Sequence, residues 1–170
     1  LHSEFGVSGA ALEWIRSYLT GRSQRVTVGH SHSSYQSVSS GVPQGSVLGP
    51  LLFTCYISPA GHLINSFGIF HQQYADDMQL FIEMSSNAAA TAIHQLERCL
   101  SALHCWLCLN GLSLNPDKSE AIWLSTVQRS RSFTPATSIS IAGTSISLSD
   151  TLTTLGVTLD KNLTFNSHVS

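Results

Sequence analysis

Phe70-His71-Gln72-Gln73-Tyr74-Ala75-Asp76-Asp77-Met78-Gln79-Leu80-Phe81-Ile82 places two adjacent carboxylates between two short apolar runs. The pattern predicts paired strands over 70–74 and 78–82, with a tight turn between them and the acids at its tip. Adjacent acids repel each other unless a cation shares them. Hard divalent ions such as Mg²⁺ take carboxylate oxygens readily. The stretch therefore predicts a metal site and metal-assisted chemistry. An ordinary solvated acidic turn is the competing reading.

Outward from this hairpin, the longest helix is expected over 87–109. Ile93, Leu96, Leu100, Leu103 and Leu107 recur at alternating spacings of three and four, which makes one apolar stripe. Asn87 is the expected N-cap, and Asn110-Gly111 the expected stop. Leu112 to Asn115 leads to a turn at Pro116-Asp117-Lys118, and Ala121 to Leu124 reads as a strand. The Ser/Thr-rich stretch 125–154 could pass for a linker. Ile139/Ile141 and Ile146/Leu148 alternate around Ala142-Gly143-Thr144, however, which predicts a hairpin. Leu152 to Leu159 reads as one last strand.

Toward the start, Leu12, Ile15 and Leu19 share a face of a helix over 11–19, opened by Ser8 or Gly9 and ended by Gly21. Arg25 to Val28 should pair with Tyr35 to Val38 across 29–34. The turn-rich stretch 41–50 runs into a buried helix over 51–57, and Pro59 can open another toward Asn65. The fold class is α+β: an antiparallel sheet with helices packed on one face.

The chain has 170 residues, enough for one domain with a core. Charged residues make up only 11% and the net charge is −2, whereas nucleic-acid proteins are normally basic. A segment separated from basic neighbours would escape that argument. The longest apolar stretch, Val47 to Ile57, is too short for a membrane span and holds Gly49 and Pro50. Both ends read as cut from something longer. Cys99, Cys105 and Cys108 share the long helix, so with Cys55 they read as free, helix-buried thiols rather than disulfides or a zinc site.

Ser40-Gly41-Val42-Pro43-Gln44-Gly45-Ser46-Val47-Leu48-Gly49-Pro50-Leu51-Leu52-Phe53, followed by Tyr74-Ala75-Asp76-Asp77, resembles the reverse transcriptase of non-LTR retrotransposons. Tyr18-Leu19-Thr20-Gly21-Arg22 resembles the segment ahead of that block. Gly111-Leu112-Ser113-Leu114-Asn115-Pro116-Asp117-Lys118-Ser119-Glu120 resembles the next block, and Leu155-Gly156-Val157 the strand called the primer grip. Their order makes the match specific.

The resemblance implies a palm-type antiparallel sheet truncated at both ends. Residues 1–39 would form a helix and hairpin after a missing first acidic strand, 40–125 the palm core, and 126–170 a hairpin and the primer-grip strand. It implies RNA-directed DNA polymerase chemistry with two Mg²⁺ ions (Mn²⁺ as substitute), in which a primer 3′-hydroxyl attacks a deoxynucleoside triphosphate. Asp76 would be the main metal ligand, with Asp77 assisting. Tyr74 would lie under the primer end, and Ala75 would be small because the primer passes close by. Gln44 and Gly45 would line the template and nucleotide pocket, Gly45 because a side chain there would collide. Lys118 would act near the leaving pyrophosphate, although a surface turn lysine reads equally well, and Arg22 and Arg25 on template phosphates, although an ordinary exposed pair on a hairpin reads slightly better. Leu155 and Gly156 would support the primer.

The implied partners are an RNA template, a DNA primer, deoxynucleoside triphosphates and the rest of a parent polyprotein with fingers, thumb and endonuclease, but no membrane. The implied location is intracellular, in nucleus and cytoplasm as ribonucleoprotein. The family also uses a third aspartate on an upstream strand, which nothing before Ala11 supplies. The chain alone is therefore expected not to polymerise. A non-catalytic remnant, reused for nucleic-acid or protein binding, is the second function class.

Overall fold

A computed structural model describes residues 1–133 and 136–169. Residues 134–135, inside the Ser/Thr-rich stretch, and Ser170 lie outside it. The chain divides into two units, Leu1–Ser58 and Pro59–Ser170.

In the first unit, α1 (His2–Phe5) precedes α2 (Gly9–Leu19). Ser8 sits at the N-cap of α2 as expected, without a side-chain capping bond. Four short strands follow: β1 (Arg22–Gln24), β2 (Thr27–Val28), β3 (Ser31–His32) and β4 (Gln36–Val38). They differ in register from the expected hairpin. Thr27–Val28 pairs with Ser31–His32 across Gly29-His30, so Gln36–Val38 pairs with Arg22–Gln24 instead of 25–28. The tight turn sets the register from its tip. Ser33 bridges the break, its hydroxyl accepting the Val26 N–H at 2.9 Å. The helix α3 (Gly49–Ile57) carries Pro50 in its first turn, where the missing N–H costs nothing.

Of the fully buried apolar residues, the first unit contributes Ile57. The stripe of α2 is only half-buried, and Trp14 beside it is 58% exposed. With so little apolar burial, this unit has little to offset chain entropy. Limited proteolysis of the isolated chain should therefore cut within 1–58 first and leave a resistant piece beginning near Pro59. Equal cutting rates in both units would contradict this.

The second unit opens with α4 (Pro59–Ser66), then the hairpin β5 (Phe70–Tyr74) and β6 (Asp77–Phe81), then the long α5 (Ala89–Leu109). The predicted stripe is the buried face of α5: Leu96, Leu100, Leu103 and Leu107 are buried with Ala92 and Cys99, and Ile93 is half-buried. α5 packs between α4, which buries Ala60 and Ile64, and β8 (Ser138–Ile141), which buries Ile139 and Ile141. Two polar ties fix it. The Gln95 amide donates to the Phe67 carbonyl, and Glu97 accepts the Ser140 N–H at 2.9 Å. The stop at Asn110-Gly111 is as expected: Leu112 N–H reaches back to Leu107 O at 2.9 Å and Gly111 N–H to Cys108 O at 3.1 Å. The start is not. Ala88 is the N-cap, and Asn87 instead accepts a hydrogen bond from the Ser85 hydroxyl. All four cysteines are free, but only Cys99 is buried, and desolvation pushes its thiol up. Cys105 and Cys108 face solvent, because residues 105 and 108 fall off the apolar stripe.

Beyond α5, Pro116–Lys118 forms a single 3₁₀ turn, capped by the Asn115 side chain accepting the Asp117 N–H at 3.1 Å. Then come β7 (Ala121–Ile122), α6 (Val127–Ser132), β8, β9 (Thr144–Ser149), β10 (Thr151–Thr154), β11 (Val157–Asp160) and α7 (Asn166–Val169). The hairpin around Ala142-Gly143 is as predicted. The run 152–159 is not one strand. Leu155 and Gly156 take φ of 47° and 79°, so β10 folds back onto β11 through a two-residue turn. The α+β class holds with a divided sheet. In this unit β5–β6 and β10–β11 pair separately, and β7–β9–β8 form a third sheet in which β7 runs parallel to β9. No helix among the described residues is long and apolar enough to cross a membrane.

Half-buried Asp160 closes the loop after β11. Its carboxylate accepts N–H bonds from Asn162, Thr164 and Phe165 at 3.0, 3.2 and 2.7 Å, and the Thr164 hydroxyl at 2.9 Å. Desolvation pushes this carboxyl up, but the bonds from Thr164, Asn162 and Phe165 outweigh it and hold it below its ordinary range. A depressed folded pKa contributes stability that is present above the unfolded value, about 3.9, and lost as pH falls through the folded one. Asp160→Asn should therefore flatten the decline in unfolding midpoint between about pH 5 and pH 2. Parallel wild-type and variant curves would contradict this.

Candidate active site

The acid-bearing hairpin is in register from Phe70↔Phe81 to Tyr74↔Asp77. Directly paired residues share a face. Phe70, Gln72, Tyr74, Asp77, Gln79 and Phe81 therefore lie on one face, and His71, Gln73, Met78 and Leu80 on the other. The second face meets α4. A Cβ on buried Gly61 would come within 2.6 Å of His71 Nε2, so the helix approaches the strand through a position with no side chain. The first face is open at Phe70 and Tyr74, which are 74% and 66% exposed.

Two residues, Ala75 and Asp76, make the turn. Asp76 is at its tip, as predicted. Asp77 is already the first residue of β6 and stands on the open face beside Tyr74. Both acids are exposed, and no hydrogen bond or ion pair from the described residues engages either carboxylate. They present unshared oxygen donors to solvent, the donor type hard divalent ions take. Mg²⁺ often takes only one or two protein carboxylates, with water and phosphate oxygens completing its shell. The pair fits that part of a ligand set. No group of three or more His, Cys, Asp or Glu that could hold a metal ion occurs among the described residues.

Ala75 sits at φ 53°, a left-handed conformation that costs an L-residue about 1 kcal/mol and suits glycine. The Gln73 side-chain amide donates to its carbonyl at 3.3 Å and helps hold the turn. Ala75→Gly should raise stability by about 0.5 kcal/mol, the relief of strain exceeding the added entropy of the unfolded chain. A lower unfolding midpoint would contradict this.

The other sequence-predicted residues are spread over both units. Lys118 is exposed on the 3₁₀ turn and makes no ion pair with Asp76 or Asp77. Leu155 and Gly156 form the β10–β11 turn tip rather than part of a strand. The remainder belong to the first unit. Gln44 and Gly45 are the central residues of a turn closed by Ser46 N–H to Pro43 O at 3.1 Å. Gly45 has φ 82°, and a Cβ there would meet nothing within 4 Å. The chain's own need for glycine at this position is conformational, not steric. Arg22 donates from Nε to Leu19 O at 3.1 Å, and the Arg25 guanidinium lies 5.1 Å from the Tyr35 ring centroid. Each thus has a local partner as well as donors for phosphate. Sequence reasoning missed Gln79. Its amide donates to the Thr154 hydroxyl, tying the acid-bearing hairpin to the β10–β11 hairpin. The strand alternation puts Gln79 on Asp77's face, but nothing local points to Thr154.

Comparison with known proteins bears on this arrangement. The chain is 33% identical over 161 residues to a probable RNA-directed DNA polymerase from transposon BS of Drosophila melanogaster, covering 91% of this chain and 17% of that protein. It is 28% identical over 169 residues to the RNA-directed DNA polymerase from mobile element jockey of Drosophila funebris, covering 96% and 18%. The chain thus spans under a fifth of the length of these relatives. No solved structure gives a significant match. The family model described as reverse transcriptase (RNA-dependent DNA polymerase) matches residues 2–159 and so takes in the Pro-Gln-Gly turn, the acid-bearing hairpin and the Leu155-Gly156 turn. By that span of matched sequence, the chain belongs to the reverse transcriptase family.

Proposed function

We propose that the protein to which this segment belongs copies RNA into DNA, and that the Ala75-Asp76-Asp77 turn is its catalytic centre. The observation that carries this reading is the pair of exposed, unengaged carboxylates at the tip and first strand residue of a packed hairpin. Asp76, at the tip, and Asp77, at the strand start, would hold two Mg²⁺ ions. The metal supplies positive charge where a primer 3′-hydroxyl attacks the α-phosphorus and pyrophosphate departs. Around it, the chain's residues position and neutralise. Tyr74 presents an exposed aromatic face to the primer end, and Ala75 leaves room for its backbone. Lys118 offers an exposed positive charge for the leaving pyrophosphate. Gln44 and Gly45 face template and nucleotide, Arg22 and Arg25 contact template phosphates, and Leu155 and Gly156 support the primer. RNA template, DNA primer and deoxynucleoside triphosphates are the partners, with fingers, thumb and endonuclease elsewhere in the parent polyprotein. The protein works in nucleus and cytoplasm as ribonucleoprotein.

The test is Mg²⁺-dependent extension of a DNA primer on an RNA template, by a polypeptide carrying this segment with its natural flanking sequence. No extension would overturn the proposal.

A second reading is favoured by the absence of any third acid beside Asp76 and Asp77 among the described residues. In it, the protein is a non-catalytic remnant, reused as a nucleic-acid-binding or protein-interaction module. RNA affinity should then fall steeply with salt as phosphate contacts release counterions, and a flat response would rule out a phosphate-contacting surface. The flanking coding sequence separates the readings. An open frame with an aspartate-bearing strand upstream favours the polymerase, and a stop codon or fusion to an unrelated domain favours the remnant.

A further inference from the structure

We infer that Gln79 is a positioning residue, which sets the Leu155-Gly156 turn against the acid-bearing hairpin through Thr154. The inference rests on the polymerase reading above. Gln79 and Thr154 are 75 residues apart in sequence, yet the Gln79 amide donates to the Thr154 hydroxyl. Gln79 lies two residues along β6 from Asp77 on the same face, about 7 Å away along the strand. Thr154 is the last residue of β10 before the turn. The bond therefore joins the strand that begins at Asp77 to the end of the hairpin proposed to support the primer.

Other ties hold the rest of that hairpin elsewhere. At its base, Lys161 bonds Asp150 through both its N–H and its ammonium group, at 3.0 and 2.9 Å, and Ser125 N–H donates to Lys161 O at 2.9 Å. In its middle, Thr153 N–H donates to Glu120 at 3.3 Å. These contacts anchor the hairpin beside β7 but do not reach the acid-bearing strands. Burial carries the same sign. Gln72 and Gln79 are paired on one face, but Gln72 is exposed while Gln79 is half-buried under its Thr154 contact. Same residue type, same pair and same face make Gln72 an internal control.

Phosphoryl transfer depends on placement of the attacking hydroxyl, and small displacements cost rate. In the primer-extending polypeptide, Gln79→Ala should lower kcat about three- to ten-fold, the worth of one hydrogen bond, with KM for the nucleotide within about two-fold. Rates are taken per active site from burst amplitude, so that misfolded protein does not count. Thr154→Val should reproduce the loss, Thr154→Ser should restore wild-type kcat, and Gln72→Ala should leave it unchanged. The Gln79→Ala/Thr154→Val double variant should be no slower than either single one. Wild-type kcat in Gln79→Ala and Thr154→Val, failure of Thr154→Ser to rescue, or additive losses would each overturn the inference alone. No extension by the wild-type polypeptide would instead remove the polymerase reading, and this inference with it.

Discussion

Asp76→Asn should cripple Mg²⁺-dependent primer extension, lowering kcat about 10²–10³-fold while leaving the fold intact. The substitution keeps the side chain's size and removes one charge and one anionic oxygen. Charge stabilisation at a developing anion is commonly the largest single contribution to catalysis, and losing one preorganised group costs about 10²–10³-fold. Asp76 is exposed at a turn and carries no bond to the described residues, so the unfolding free energy should move by less than about 0.5 kcal/mol. Asp77→Asn should cost less, since the strand position assists the tip. Extension assays beside thermal unfolding separate the two effects. Extension that survives Asp76→Asn would end the catalytic assignment.

Leu103→Ala should destabilise the chain by about 2–5 kcal/mol, a large share of a small domain's stability. Leu103 is 2% exposed, near the middle of α5, where the helix is packed between α4 and β8. Truncating it opens a cavity in the element that organises the second unit. Because α4 in turn packs on β5, the acid-bearing hairpin should loosen as well. Leu109, in the same helix but 87% exposed, is the control, and Leu109→Ala should cost less than about 1 kcal/mol. Urea unfolding of both variants tests the pair. A loss below about 1 kcal/mol for Leu103→Ala would show that α5 is not the organising element.

These two leucines also show what can be read locally. The three-and-four spacing of Ile93 to Leu107 foretold both the helix and its buried side, because side chains at those spacings stack on one face whatever lies beyond. The hairpins at Ala75-Asp76 and Ala142-Gly143 were legible for the same reason: a tight turn and the alternation beside it involve only sequence neighbours. Leu155-Gly156 was misread because an apolar residue in a turn looks like a strand residue, and φ 47° leaves no compositional mark. The slipped register of 22–38 escaped because two turns fit the same polar run. Exposure of Cys105 and Cys108 followed from how far the packed face extends around α5.

The amino-acid sequence by itself determined the acid pair on its turn, the long amphipathic helix and its stop, and the ordered blocks that mark a reverse transcriptase. Only the tertiary structure decided that β7 runs parallel to β9, that 152–159 folds back on itself, and that Gln79 meets Thr154. Periodicity and turn chemistry act over a few residues and are written in them. Pairing across many residues depends on which surfaces the packed helices leave for the strands to meet.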